Sequence, residues 1–79
     1  MRRTRVESTT LRSAGYDPRQ RILELEFTSG AVYQYLDVPG SVHRALMAAE
    51  SKGKYFNQEI RDDYSALLVQ SARRGAGNR

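Results

Sequence analysis

The sequence predicts an α+β fold, a three-stranded antiparallel β-meander followed by two short helices packed on one face of the sheet. Three observations predict it. Residues 21–27 alternate between apolar and polar side chains, a glycine-containing turn leads from them into a second run of strand character, and after Pro39 the apolar period changes from that of a strand to that of a helix.

In the first run Leu23, Leu25 and Phe27 share one face and Glu24 and Glu26 the other, which reads as a half-buried strand with both glutamates in water. Thr28-Ser29-Gly30 follows as a three-residue hairpin loop, with Gly30 supplying the positive φ of a bulged turn into Ala31–Leu36. That loop sets Phe27 opposite Ala31, Leu25 opposite Tyr33 and Leu23 opposite Tyr35, so both tyrosines join the apolar face. A two-residue Ser29-Gly30 loop would slip the register by one and turn them to the glutamate side. The longer loop is favoured, because five Tyr and two Phe are most of the large side chains available to a core. Upstream, Ser8–Tyr16 forms the remaining strand, and Asp17-Pro18 starts the turn out of it.

Val42, Ala45, Leu46 and Ala49 then fall at helical spacing, in a helix beginning at Pro39 or Ser41 and ending near Glu50. Ser51 caps a second, shorter helix on which Phe56, Ile60 and Tyr64 recur every four residues, while Lys54, Asn57 and Arg61 share another face. Gly53 is the other candidate end for the first helix. Beyond it, Asp63 caps a last helical turn or two bearing Tyr64, Leu67 and Leu68, with Gly75 as its stop.

Seventy-nine residues allow a single domain, and with no cysteine it is held by packing alone. Leu, Ile, Val and Phe make up sixteen residues, so the core is small and stability modest. No apolar run approaches the roughly 18 residues that cross a bilayer, and nothing at the start reads as a signal peptide, so a soluble cytoplasmic protein without membrane partners is expected. The net charge of +4 belongs to the ends: Arg2, Arg3 and Arg5 precede the first strand, and Arg73, Arg74 and Arg79 lie in a glycine-containing tail. Between residues 6 and 64, seven basic residues face all nine acidic ones, leaving about −2. The expected organisation is a basic arm at 1–5, a domain at 6–64, and a helical turn with a basic flexible tail at 65–79.

Metal binding needs several donors on one face, and one histidine without cysteine does not provide them. His43 is expected to face solvent. There is no phosphate-cradling glycine loop, nucleophile elbow or dinucleotide fingerprint, so neither catalysis nor a cofactor is expected. Two constellations remain. Tyr33-Gln34-Tyr35 sets two rings on one strand face, where they either close the core or stack bases. Ser51-Lys52-Gly53-Lys54 with Asn57 and Arg61 gathers cations around a helix start, either as a solvated face or as an anion site.

The order of these motifs carries a further reading. Ser8-Thr9-Thr10, Gly15-Tyr16-Asp17, Phe27-x-x-Gly30, Tyr33-x-Tyr35, Val38-Pro39, Ala49-x-Ser51-x-Gly53 and Phe56-Asn57-x-x-Ile60-Arg61-x-x-Tyr64 follow one another between Ser8 and Tyr64. In this the chain resembles the KTSC domain, a module found at the C-terminus of some lysyl-tRNA synthetases and as a free-standing bacterial protein. Tyr33 and Tyr35 match the family's hallmark Tyr-x-Tyr. The resemblance implies a non-catalytic module of unknown role, with RNA binding suggested by its attachment to a synthetase. On that reading Arg44, Lys52, Lys54, Asn57 and Arg61 contact the nucleic acid, Tyr33 or Tyr35 stacks, and the basic ends add affinity. The alternative is a protein-interaction module that pairs with a partner or with itself through a strand edge or the Leu67-Leu68 segment. Arg61 has a structural alternative of its own, an ion pair with Asp37 or Glu50.

Overall fold

The computed structural model describes residues 2–72, so the expected tail at 73–79 lies outside the described residues. Its elements in chain order are β1 (Thr4–Arg5), β2 (Leu11–Asp17), β3 (Ile22–Phe27), β4 (Val32–Tyr35), α1 (Gly40–Ala48), α2 (Lys52–Glu59) and β5 (Ala66–Gln70). The five strands form one antiparallel meander in the order β1-β2-β3-β4-β5.

The α+β expectation holds, but the sheet has five strands where three were expected. Both additions are edge strands with weak sequence signals. β1 is two residues long and has no apolar alternation to announce it. β5 occupies the segment expected to be helical. Tyr64, Leu67 and Leu68 fit a helical stripe, yet the free edge of β4 offers a ladder of main-chain partners, and Leu36 N–H donates to Ser65 O at 2.9 Å where it begins.

The β3–β4 hairpin has the register of the three-residue loop. Leu25 pairs with Tyr33 and Leu23 with Tyr35. Gly30 takes φ 98°, its N–H donates to Phe27 O at 2.9 Å, and Phe27 N–H donates to Ala31 O at 2.8 Å. Residue 30 therefore has to tolerate the left-handed region, which glycine does without a Cβ clash. At the other end of β3, the Asp17 carboxylate accepts from the N–H groups of Arg19 and Gln20, closing the Pro18–Arg21 turn from β2. The first strand is shorter than expected. Ser8 instead closes a turn, its hydroxyl accepting from Thr10 and Leu11 N–H, and β2 begins at Leu11.

Pro39 stands at the N-cap of α1, and Ser51 caps α2 through a hydrogen bond from Lys54 N–H. Gly53 lies inside α2 and ends nothing. It permits contact, because a Cβ there would meet the Thr10 hydroxyl oxygen at 2.5 Å, so α2 lies directly against the turn before β2.

Leu11, Leu23, Leu25, Val38, Leu46 and Ile60 are fully enclosed, and Tyr35 and Phe56 complete the core between the sheet and the helices. The opposite face corrects a second expectation. Glu24 is buried, with its carboxylate gripped by Arg3 Nη1 at 2.8 Å and by Gln34 Nε2 at 2.8 Å. Gly15, opposite Glu24 in the ladder, leaves room for the main chain of Arg2 and the stem of Arg3 to pass over the sheet. Glu26, half-buried, accepts from the Ser13 hydroxyl at 2.8 Å. The glutamate side is thus partly roofed by the N-terminal segment, a long-range arrangement that strand alternation does not encode.

Candidate binding groove

An open groove of about 710 Å³ lies where α2 passes the β3–β4 hairpin. Phe27 closes β3 beside the loop, Tyr33 and Tyr35 project from the same face of β4, and Phe56 comes down from α2. Their rings form a continuous set of edge and tilted contacts. Phe27 meets Phe56 at 5.2 Å and Tyr33 at 5.9 Å, while Tyr35 meets Phe56 at 5.6 Å and Tyr33 at 6.3 Å. Such geometry fixes the rings through edge-to-face attraction and leaves a firm apolar wall. Thr9, Thr10, Thr28 and Ser29 line the groove with hydroxyl-bearing side chains, and Arg61, just beyond α2, is the one charged residue of the lining among the described residues.

The two tyrosines divide the roles that the sequence left open between them. Tyr35 is 6% exposed and belongs to the core, whereas Tyr33 is half-buried and lines the open groove. Burial pushes the Tyr35 hydroxyl up to about 12; Tyr33 beside it adds to the rise and the Arg61 cation opposes it. Tyr35 therefore stays protonated at neutral pH. Arg61 is exposed and, among the described residues, makes no ion pair, so neither of the expected carboxylates holds it. Asp37 pairs with Arg21 instead, at 3.2 Å.

The other sequence-predicted residues lie elsewhere. Lys52, Lys54 and Asn57 border a separate depression of about 590 Å³ shared with Glu7 and Glu50, and Lys52 Nζ donates to Ala49 O at 2.9 Å. Arg44 is on α1 near Gly40 and Tyr16. The seven candidate residues thus occupy three places, and only Tyr33, Tyr35 and Arg61 meet in the groove. The segment expected as a basic arm is tied to the sheet among its described residues, through β1 and the Arg3–Glu24 ion pair.

His43 differs from expectation as well. It is half-buried on α1 and stacks on Tyr16, with ring centroids 5.0 Å apart and planes 10° from parallel. Tyr16 in turn donates its hydroxyl proton to Val38 O at 2.6 Å, which fastens the chain entering α1 to β2. Sequence reasoning also left Phe27 and Phe56 out of the site, because their spacing marks them as core; their signal was only that they are aromatic. Among the described residues, no group of three or more His, Cys, Asp or Glu is placed to hold a metal ion.

Comparison with known proteins decides the family. The KTSC domain profile matches residues 7–64. The chain belongs to the KTSC domain family. A crystal structure of a KTSC domain protein from Yersinia pestis superposes with a TM-score of 0.84 at 38% identity, covering 86% of this chain and 96% of that one. An uncharacterized protein of Stutzerimonas stutzeri is 50% identical over 64 residues, which are 81% of this chain and 90% of that protein. A lysine–tRNA ligase of Nostoc punctiforme is 38% identical over 58 residues, 73% of this chain but only 10% of the ligase. This KTSC domain carries Tyr33, Tyr35 and Arg61 within the matched span, whereas β5 lies beyond it.

Proposed function

We propose that this KTSC domain is a non-catalytic RNA-binding module, in which the groove takes an unpaired base against Tyr33 and Arg61 holds the adjoining phosphate. The observation that carries the reading is the pairing of a half-exposed ring, fixed by its aromatic neighbours, with an exposed guanidinium in one groove. A base stacks on an aromatic face whatever its identity, and an arginine can grip phosphate oxygens through two N–H groups. The hydroxyls of Thr9, Thr10, Thr28 and Ser29 add polar partners around the base. Among the described residues the lining holds neither a carboxylate nor an imidazole, which suits a binding site better than a site for general acid–base chemistry. Occurrence of a related segment in a protein named lysine–tRNA ligase supports an RNA ligand. Arg44, Lys52 and Lys54 act outside the groove, attracting the RNA backbone at longer range, and Asn57 beside the two lysines offers its amide at hydrogen-bond range only.

The test is titration of a fluorescent single-stranded RNA at low salt with wild type, Tyr33→Leu and Arg61→Gln, each checked by thermal melting. Loss of stacking in Tyr33→Leu should weaken binding roughly 5- to 150-fold, corresponding to about 1–3 kcal/mol per stacked base. Arg61→Gln should weaken it and also flatten the dependence on salt, by about 0.7 in the logarithmic slope for one lost single-strand phosphate contact. Undiminished affinity in both folded variants would remove the groove from the RNA site.

A further inference from the structure

Tyr35 carries a hydroxyl that its place in the core does not explain. A buried phenol usually finds a hydrogen-bond partner. The hydroxyl of Tyr16 does so, donating to Val38 O at 2.6 Å, whereas that of Tyr35 has no partner among the described residues. No polar side-chain atom among those residues is both fully enclosed and unpaired, so the Tyr35 oxygen reaches the surface, and the surface it reaches is the groove that Tyr35 lines. The ring itself is accounted for by its burial and by its edge contact with Phe56 at 5.6 Å. A phenylalanine would fill that space equally well and bring no hydroxyl to satisfy.

The chemistry around this hydroxyl selects what it meets. The charged groups that act on it are Tyr33 and Arg61, which line the same groove. Arg61 is exposed, and Asp62 and Asp63 beside it in the chain neither line the groove nor pair with it among the described residues. Tyr35 keeps its proton at neutral pH, so its O–H is free to donate. A fixed O–H donor next to a free guanidinium suits an oxyanion, and one cation balances the single charge of a nucleic-acid phosphate. Tyr33 and Tyr35 stand two positions apart on one face of β4, with ring centroids 6.3 Å from each other, so a base lying on the first has its phosphate beside the second. We infer that the Tyr35 hydroxyl and the Arg61 guanidinium hold one phosphate between them, and that the ligand of the groove is a nucleoside phosphate laid along β4 with its base on Tyr33. The inference rests on the groove being the nucleic-acid site proposed above, and it makes Tyr35 a donor to the ligand where Tyr33 is the stacking surface. Because the core already fixes the Tyr35 ring, the donor is in place before the ligand arrives and loses little freedom on binding.

Tyr35→Phe keeps the ring and removes only the donor, so its melting temperature should match wild type. Titrated with the same fluorescent single-stranded RNA, it should bind about tenfold more weakly, the low end for a hydrogen bond to a charged group. Combined with Arg61→Gln it should lose less than the product of the two single losses, because both side chains hold the same phosphate. Full affinity in Tyr35→Phe, or strict additivity with Arg61→Gln, overturns the inference, and if Tyr33→Leu still weakens binding the groove remains the RNA site. Full affinity in all three variants overturns both readings. A second titration, followed by the Tyr33 and Tyr35 resonances, compares adenosine with its 5′-monophosphate. The monophosphate should bind more tightly, by a margin that shrinks in Tyr35→Phe, and equal affinities overturn the phosphate site. A monophosphate that binds as tightly as the RNA supports the phosphate site and overturns RNA as its source.

Discussion

Leu25 and Leu68 are the same residue type placed on either side of Tyr33, one as its partner on β3 and the other as its partner on β5. Leu25 is fully enclosed and Leu68 is 54% exposed. The difference comes from where the helical cover ends. Leu46, Phe56 and Ile60 close over β2, β3 and Tyr35, and nothing among the described residues closes over β5. One half of the sheet is therefore a core. The other half holds the groove and an open edge, and Tyr33 stands at the boundary. Hydrophobicity alone does not say which half a leucine joins.

The largest expected effect breaks the comparison if it fails. Leu25→Ala should cost about 2–5 kcal/mol, the range for emptying an enclosed leucine site, and in a small domain this is enough to abolish cooperative unfolding. Leu68→Ala, melted in dilute solution, should stay within about 0.5 kcal/mol of wild type, as exposed positions usually do. Similar losses in thermal denaturation would mean that the two halves share one core.

That asymmetry also shows what the sequence could reveal. The covered half was legible because alternation at Leu23, Leu25 and Phe27 and helical spacing at Val42 and Leu46 each report burial against a neighbouring element. The hairpin register was only favoured, since Gly30 fits both a two- and a three-residue loop and the preference rested on the need for the tyrosines in a small core; the structure has the three-residue loop. The open half lacks such a report. Ala66–Gln70 is apolar without alternation, because neither of its faces is buried, and a short uniform run fits helix and strand equally well. The candidate site was half legible: composition drew attention to Tyr33, Tyr35 and Arg61, but only the fold separates Arg61 from Arg44 and the lysines and adds Phe27 and Phe56. Burial of Glu24 was invisible, because it depends on Arg3, twenty-one positions away.

A smaller effect sharpens the comparison by testing how the cover is seated. Gly53→Ala places a methyl group where the Thr10 hydroxyl oxygen would be 2.5 Å and the Thr10 Cβ 2.9 Å away, so α2 has to shift outward. Overpacking of this kind costs about 1–3 kcal/mol. Thr10→Ala removes the closest of those atoms and should recover part of the loss in the double variant. Since Phe56 rides on the same helix, the shift should also loosen the wall of the groove, visible as a change in the aromatic resonances of Tyr33 and Tyr35. A Gly53→Ala protein with unchanged melting and unchanged tyrosine signals would show that α2 does not set the boundary between the halves.

The smallest effect lies at the far end of the cover, where His43 fastens α1 to Tyr16 on β2. Burial pushes the imidazole below its ordinary value, and the neighbouring Arg44 cation pushes it further in the same direction. The unfolded chain therefore takes up this proton before the folded one does as the pH falls. The neutral ring's contribution is complete above the unfolded value of about 6.5 and declines as the pH drops below it toward the lowered folded value. Wild type should accordingly lose melting temperature from about pH 7 to pH 5, above the range in which most carboxylates titrate. His43→Gln should flatten that slope while leaving the groove resonances of Tyr33 unaffected. A slope identical in the two proteins would show that the stack carries no proton-linked stability. A Tyr33 signal that follows the His43 titration would instead show that the covered and open halves move together.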